Sequence, residues 1–98
     1  MLKNKTVYYN KVKIRQSKMY GSTTYRFLVF IVRRGSLVLV GEGTQHTAST
    51  PGERGECWLI LQNAGLVPKK IGCCDFYSYA NKNNITFRDI ADIGYYND

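Results

Sequence analysis

Residues 25–43, YRFLVFIVRRGSLVLVGEG, contain two apolar runs separated by a short polar turn. The first run is rich in β-branched and aromatic residues and is apolar on both faces through its middle, which predicts a central strand buried on both sides. Gly35 interrupts this pattern and LVLVGEG resumes it, so RRGSL is interpreted as a tight hairpin with Arg33 and Arg34 at its tip. The stretch therefore predicts two adjacent antiparallel strands.

The residues before this hairpin alternate from Thr6 to Gln16, which is the period of a half-buried strand. One side holds Tyr8, Asn10, Val12, Ile14 and Gln16, and the other holds Val7, Tyr9, Lys11, Lys13 and Arg15. The second side would display three cations beside an aromatic ring, which suits a sheet face that binds a polyanion. A solvated edge strand that uses lysine to deter aggregation would carry the same pattern.

A helix is predicted after these strands, in the stretch STPGERGECWLIL. Thr50 is placed as the N-cap, Pro51 at the first helical position and Glu53 at the third, which is the spacing of a capping box. The apolar residues that follow recur at helical spacing, and Gly65 is a suitable residue to end the helix. This segment is interpreted as the core helix of the domain.

The remainder of the chain predicts two further elements. The segment IGCCDFYSYA is read either as a fourth strand throughout, or as a short strand ending near Cys74 with a helical turn from Asp75. In ITFRDIADIG, Thr86 is a candidate N-cap, Asp89 follows three residues later and Gly94 ends a two-turn helix. The predicted fold is α+β in a single small globular domain of 98 residues: a three-stranded antiparallel meander (about 6–16, 24–34 and 36–43), a core helix (about 51–64), a fourth strand (about 69–75 or longer) and a short C-terminal helix (about 87–93).

Charge is distributed unevenly along the chain, whose net charge is +7. Residues 1–41 carry nine lysines and arginines and no acidic residue, whereas residues 42–98 carry five basic and seven acidic side chains. Such asymmetry is typical of a surface that faces a polyanion, which includes nucleic acid, anionic lipid and an acidic protein patch. A role in solubility alone would tend to intersperse both signs.

Several classes of protein are excluded by the same sequence. No apolar run is long enough to span a membrane, and MLKNKTVYYNK lacks the hydrophobic region of a secretory signal, so a cytoplasmic location is expected. The three cysteines (Cys57, Cys73 and Cys74) have no zinc-ligand spacing and are interpreted as reduced, mostly buried thiols. His46 is the only histidine and lies in a polar segment, so neither a metal nor a cofactor is expected.

The predicted order of strands and helices resembles the first two-thirds of the ribonuclease H fold. In that family an aspartate of the first strand, a glutamate in the first turns of the first helix and an aspartate after the fourth strand hold divalent metals for phosphodiester hydrolysis. Glu56 and Asp75 fall at the second and third of these positions, but the first-strand position, near Gln16, has no acid, and the late fourth carboxylate has only Asp98 as a candidate. The resemblance therefore implies a degenerate acidic site without catalytic residues.

The leading functional hypothesis is a non-enzymatic, small basic binding module that contacts nucleic acid or a nucleoprotein complex. The residues expected to make these contacts are Lys11, Lys13, Arg15, Lys18, Arg26, Arg33, Arg34, Tyr9, Tyr20 and Tyr25. The cations would contact phosphates, and the tyrosines would stack on unpaired bases or bury area against a protein.

The alternative hypothesis is an inhibitor that binds an acidic protein partner and uses its eight tyrosines as interface anchors. In size, basic charge and tyrosine content the chain resembles small phage or mobile-element proteins, including anti-CRISPR proteins. The third hypothesis, ranked below both, is a remnant of a ribonuclease H-like nuclease.

Overall fold

The computed structural model describes residues 1–16, 23–46, 52–73 and 75–93. In chain order the elements are β1 (Lys5–Gln16), β2 (Thr23–Arg33), β3 (Ser36–His46), helix α1 (Gly52–Asn63), helix α2 (Phe76–Lys82), β4 (Ile85–Asp89) and a 3-10 turn (Ile90–Ile93). The α+β fold, the three strands of the meander and the core helix are as predicted. Among the described residues, no helix is long and apolar enough to cross a membrane.

The four strands form one mixed sheet in the order β3-β2-β1-β4. β1 pairs antiparallel with β2, β2 pairs antiparallel with β3, and β4 pairs parallel with β1 from Lys5↔Ile85 to Tyr9↔Asp89. The β2–β3 turn has Arg34 and Gly35 at positive φ, 54° and 79°, which matches the right-handed twist of the two strands that it joins. The predicted RRGSL hairpin is therefore confirmed.

Helix α1 packs on one face of the sheet. Cys57, Trp58 and Leu61 are fully buried there against the sheet residues Phe27 and Val29. This close approach depends on a glycine of β3: a Cβ at Gly41 would lie 2.6 Å from Ile60 Cγ2. A side chain at this position would therefore push the helix and the sheet apart.

The prediction that β2 is buried on both sides is wrong. Phe27, Val29 and Ile31 are buried beneath the helices, but the residues between them, Leu28 and Phe30, are only half-buried. β2 is thus central in the sheet, with one face inside the core and one face open. The apolar residues on that open face account for the apolar pattern that suggested full burial.

The fourth strand was predicted at 69–75, and this placement is wrong. Residues 69–73 are irregular and are held by side-chain bonds to their backbone: Trp58 Nε1 donates to the Ile71 carbonyl at 2.8 Å, and Gln62 Nε2 donates to the same carbonyl at 2.6 Å. Helix α2 follows from Phe76, because Phe76 and Ala80 share one buried helical face. This agrees with the helical turn from Asp75 in the alternative interpretation, but the short strand that it placed before that turn is absent from described residues 69–73.

The C-terminal helix predicted at 87–93 is also corrected. The strand β4 takes Ile85–Asp89, and helical structure is restricted to the 3-10 turn Ile90–Ile93. Thr86 does not cap a helix; its hydroxyl lies 3.0 Å from that of Thr6 across the parallel pair. Asp89 fills the capping role instead, because its Oδ1 accepts a hydrogen bond from the Ala91 N–H at 3.0 Å.

Candidate nucleic-acid interface

The second half of β1 is exposed on both of its faces. Val7 and Tyr9 are buried, whereas every residue of β1 from Val12 to Gln16 is exposed. The residues of β2 that pair with this segment are 23–26. We call this end of the hairpin, residues 12–16 and 23–26, the arm. Cations on either side of β1 in the arm therefore reach solvent.

The arm directs its cations to opposite faces of the sheet. Lys13 pairs with Tyr25, but a register shift follows, so that Arg15 pairs with Thr24. One extra residue on β1 turns the next side chain to the other face. The expectation that Lys11, Lys13 and Arg15 share a face is therefore wrong for Arg15.

Arg26 lies on the same face as Arg15, opposite Val12 in the sheet. Its Nη2 donates to Glu42 Oε2 at 2.7 Å, and both side chains are about half exposed. An exposed pair of this kind contributes little to stability, about 0–1 kcal/mol, and can exchange partners at small cost. Arg26 can therefore contact an anionic ligand, although Glu42 balances part of its charge in this structure.

Tyr9 and Lys11 meet Glu53 of helix α1 and tie the strand to the helix. The Tyr9 hydroxyl donates to Glu53 Oε2 at 2.9 Å, and Lys11 Nζ donates to Glu53 Oε1 at 2.5 Å. Lys11 Nζ also lies 4.5 Å from the centroid of the Tyr25 ring. Because Tyr9 is only 8% exposed, the expectation that its ring lies on an exposed face is wrong.

Hydrogen bonding and burial shift the pKa values of the three residues in this contact. The Lys11 ammonium lowers the pKa of Glu53, and the same bond raises the pKa of Lys11. Burial, with the bond to Glu53, raises the pKa of Tyr9. Glu53 is therefore held as a carboxylate by two donors from β1. Its predicted partner in the capping box, Thr50, lies outside the described residues.

Arg33 and Arg34 lie at the other end of the sheet, at the β2–β3 turn. Lys5 lies beside them, since its Nζ donates to the Val32 carbonyl at 3.5 Å. Ten residues of extended strand separate Lys5 from Arg15, a span of roughly 33 Å. Among the described residues proposed from the sequence, the exposed cations therefore lie at two separate ends of the sheet rather than in one patch.

Sequence reasoning missed Lys5 as part of that second basic end. Antiparallel pairing of β1 with β2 places the start of the first strand beside the end of the second, so the predicted meander already contained the signal. Lys18 and Tyr20 lie outside the described residues. Tyr25 is half-buried at the base of the arm.

The acids highlighted by the ribonuclease H resemblance have different surroundings. Burial raises the pKa of Glu56, whose Oε1 lies against Gly43 of β3. Asp75 is exposed and immediately precedes α2. In the parts of the chain that the structure describes, no group of three histidine, cysteine or acidic side chains is arranged to hold a metal ion.

The cysteines provide no exposed nucleophile among the residues described. Cys57 is buried, and burial raises the pKa of its thiol. Cys73 is half-buried, and Cys74 lies outside the described ranges. The arm is therefore the described feature best suited to bind a ligand, since its exposed cations can bind an anion without reacting with it.

No protein-family model matches this chain, and no curated protein or solved structure matches it. Two observations stand out: the exposed cations on both faces of the arm, and the exposed apolar residues Val12 and Ile14 between them.

Proposed function

We propose that this protein is a non-enzymatic binding module that holds nucleic acid, alone or within a nucleoprotein complex, through its arm. The observation that carries this proposal is the placement of Lys13 and Arg15 on opposite faces of β1, in a segment whose residues from Val12 to Gln16 are all exposed. The sheet is three strands wide here, because β3 also pairs with β2 at residues 24–26, and exposed cations on its surface can contact backbone phosphates.

The distribution of charged residues around the arm also favours nucleic acid as the ligand. Residues 1–41 contain no acidic residue, and Glu42 and Glu53 are each bonded to a cation of the sheet, Arg26 and Lys11. The strand surface therefore keeps a positive potential, which attracts a polyanion and depends strongly on salt. Contacts of this kind give affinity without a preference for sequence.

A second candidate is an inhibitor that binds a protein partner, as anti-CRISPR proteins do. It is favoured by the exposed apolar side chains of the arm, because Val12 is 42% and Ile14 is 54% exposed. Phosphate contacts make no use of an exposed isoleucine, whereas an acidic protein surface with an apolar centre would cover it. The cations would then steer association with that partner.

Binding of a labelled oligonucleotide by fluorescence anisotropy, at about 50 and about 200 mM salt, tests the first proposal. We expect binding that weakens steeply with salt and is lost in the double variant Lys13→Glu with Arg15→Glu. The matched control is Lys69→Glu with Lys70→Glu, which makes the same change in net charge on exposed residues between α1 and α2. Equal loss in both variants, or no binding at the lower salt, would contradict a role for the arm.

A pull-down from a cell lysate with and without nuclease treatment separates the two candidates. Retention of a partner after nuclease treatment, lost in Ile14→Asp, would favour the protein-binding inhibitor. Loss of all partners on nuclease treatment would favour the nucleic-acid module.

A further inference from the structure

A cleft opens at the outer edge of β4, next to helix α2. It has a volume of about 250 Å³ and is lined by Tyr77, Ala80 and Asn81 of α2, by residues 85–87 of β4, and by Arg54 of α1. Neighbouring side chains of a strand point to opposite faces, so a cleft that touches three consecutive residues lies at the edge of the strand and not over one face. Because β1 occupies one edge of β4, this cleft lies along the other edge, and we call it the edge cleft.

The edge of β4 that faces away from β1 is free among the described residues. β4 is the last strand in the order β3-β2-β1-β4 and pairs with β1 alone among the described strands. Outside the helices and strands themselves, no backbone hydrogen bond of the described residues involves residues 85–89. An edge strand of this kind presents unpaired N–H and C=O groups, with which another extended chain can pair. The sheet can therefore accept a fifth strand at this edge.

Arg54 supplies the charge of the edge cleft. It is exposed and makes no hydrogen bond or ion pair with any residue that the structure describes. Its neighbour Glu53 is engaged by Tyr9 and Lys11 instead. None of the described residues that line the edge cleft is acidic. The Arg54 guanidinium is therefore available to a carboxylate, which it can bind through two parallel hydrogen bonds.

Two further exposed cations flank the free edge. Arg88 lies in β4 itself, and Lys82 ends α2 just before β4 begins. The acid of β4, Asp89, already accepts a hydrogen bond from the N–H that follows the strand. Asp75 lies at the start of α2, at the opposite end of that helix from Lys82. The charge around the free edge is thus mainly positive, which favours an acidic ligand over a basic one.

The size and lining of the edge cleft suit one large side chain. Its volume is below the range of about 300–1,000 Å³ that holds drug-sized ligands. Ala80, Ile85 and Phe87 give it apolar walls, and the ring of Tyr77 is 49% exposed beside them. An aromatic side chain fits this lining, because ring pairs stabilise each other beyond the area that they bury.

We propose that an extended acidic peptide of a partner protein adds to the free edge of β4 as a fifth strand. In this mode of recognition, main-chain hydrogen bonds give affinity and pockets for alternate side chains give specificity. An aromatic side chain of the peptide fills the edge cleft, and carboxylates beside it bind Arg54 and Arg88. The inference goes beyond the proposed function of the arm and does not depend on it, because β4 pairs with residues 5–9 of β1 and the arm begins at residue 12.

Fluorescence anisotropy of the full chain with the labelled peptide Ser-Glu-Glu-Phe-Glu-Glu-Ser tests this proposal. This probe carries one aromatic residue with carboxylates on both faces of an extended chain. We expect saturable binding with a micromolar dissociation constant, and at least about tenfold weaker binding of the same peptide with lysine in place of glutamate. No saturation by the acidic peptide up to about 1 mM would overturn the proposal.

Arg54→Gln tests the contribution of the edge cleft. Arg54 is exposed and glutamine favours helices, so the variant should fold. We expect the dissociation constant for the acidic peptide to rise at least about tenfold, because a hydrogen-bonded charge pair is lost. The matched control is Lys70→Gln, which removes the same charge from an exposed residue between α1 and α2 and should bind like the unaltered chain. Equal weakening in both variants would show that the peptide responds to net charge alone and would contradict a site at the edge cleft.

Methylated peptides test whether the probe binds as a strand. Alternate residues of a strand direct their N–H groups to opposite edges, so methylation of alternate backbone nitrogens blocks one edge at a time. Of the two peptides methylated on alternate sets of residues, one should lose binding and the other should keep it. Equal affinity of the two, whether retained or lost, would rule out pairing with β4.

Amide NMR shifts of the full chain distinguish the peptide from other occupants of the edge. We expect the acidic peptide to shift the signals of Ile85–Asp89. Shifts of these signals caused by the oligonucleotide and not by the peptide would assign the edge to nucleic acid. Shifts caused by raising the concentration of the chain alone would assign it to a second copy. Either result would overturn the proposal.

Discussion

The Tyr9 hydroxyl donates a hydrogen bond to Glu53 at 2.9 Å and so joins the middle of β1 to the first turn of α1. The sequence alone predicts Tyr9 as a base-stacking residue and Glu53 as a helix-capping residue, and it does not indicate that the two side chains meet. Their contact lies on the same side of the sheet as the buried core between α1 and β2. The arm begins beyond it, where β1 is exposed from Val12 onward.

Replacing Tyr9 by phenylalanine should lower stability without affecting ligand binding. The ring would remain beside Phe27, whose centroid is 6.0 Å away, but Glu53 would lose one donor. We expect the free energy of unfolding in urea to fall by about 0.5–1.5 kcal/mol. Tyr77→Phe, at an exposed position, is the control and should change stability by less than about 0.5 kcal/mol. Loss of oligonucleotide binding at unchanged stability would show instead that Tyr9 contacts the ligand.

The two glutamates of α1 should respond to pH in opposite directions. The pKa of Glu53 lies below its ordinary value of 4.5, so its contribution to stability is present above that pH and is lost as pH falls through the lowered value. The pKa of Glu56 is raised by burial, so its ionisation opposes folding at neutral pH, and this cost disappears on acidification. Glu53→Gln should therefore reduce stability at pH 7 and flatten the acid dependence.

Glu56→Gln provides the matched comparison, since it makes the same chemical change one helical turn away. It should leave stability at neutral pH unchanged or higher. The measurement is the free energy of unfolding in urea at intervals from about pH 3 to pH 7, a range that spans the ordinary pKa values of both groups. A greater loss in Glu56→Gln than in Glu53→Gln would contradict this account.

Local sequence pattern was sufficient for the meander and for the core helix, because alternation and capping act between close neighbours in the chain. It was insufficient for β4, whose hydrogen-bonding partner β1 lies about 80 residues away in the sequence. The segment ITFRD also carries Thr86 and Asp89 at the spacing of a helix cap, and this local signal was outweighed by pairing with β1.

Local sequence pattern was also insufficient to predict which face of β1 is covered by the helix. Alternation shows which residues share a side, but the position of α1 decides which side is covered, and α1 packs over the side of Phe27 and Val29. The register shift before Arg15 adds one residue to the strand without any glycine or proline to mark it. The candidate site was therefore predicted in its composition but not in its geometry.

Gly41→Ala should destabilise the fold by about 1–3 kcal/mol, because the new methyl group would overlap Ile60 Cγ2. The free energy of unfolding in urea measures this loss. A double variant that adds Ile60→Leu should be less destabilised than the two single changes combined, since leucine has no branch at Cβ. Strict additivity of the two changes would show that the contact between β3 and α1 does not set the distance between them.

Lys11 and Lys13 are expected to have different roles, Lys11 in stability and Lys13 in ligand binding. Lys11 is bonded to Glu53, whereas Lys13 is exposed in the arm and its Nζ donates only to the nearby Gln16 side chain at 3.3 Å among the contacts described. Lys13→Gln should therefore weaken oligonucleotide binding and reduce the slope of log affinity against log salt by about 0.9, the loss of one phosphate contact. Lys11→Gln should instead lower the free energy of unfolding and leave that slope nearly unchanged. Anisotropy titrations at several salt concentrations, combined with urea unfolding of both variants, measure the two effects separately. If Lys11→Gln reduced the slope as much as Lys13→Gln, Lys11 would have to leave Glu53 on binding, and the contact between β1 and α1 would be part of the ligand response rather than a fixed support.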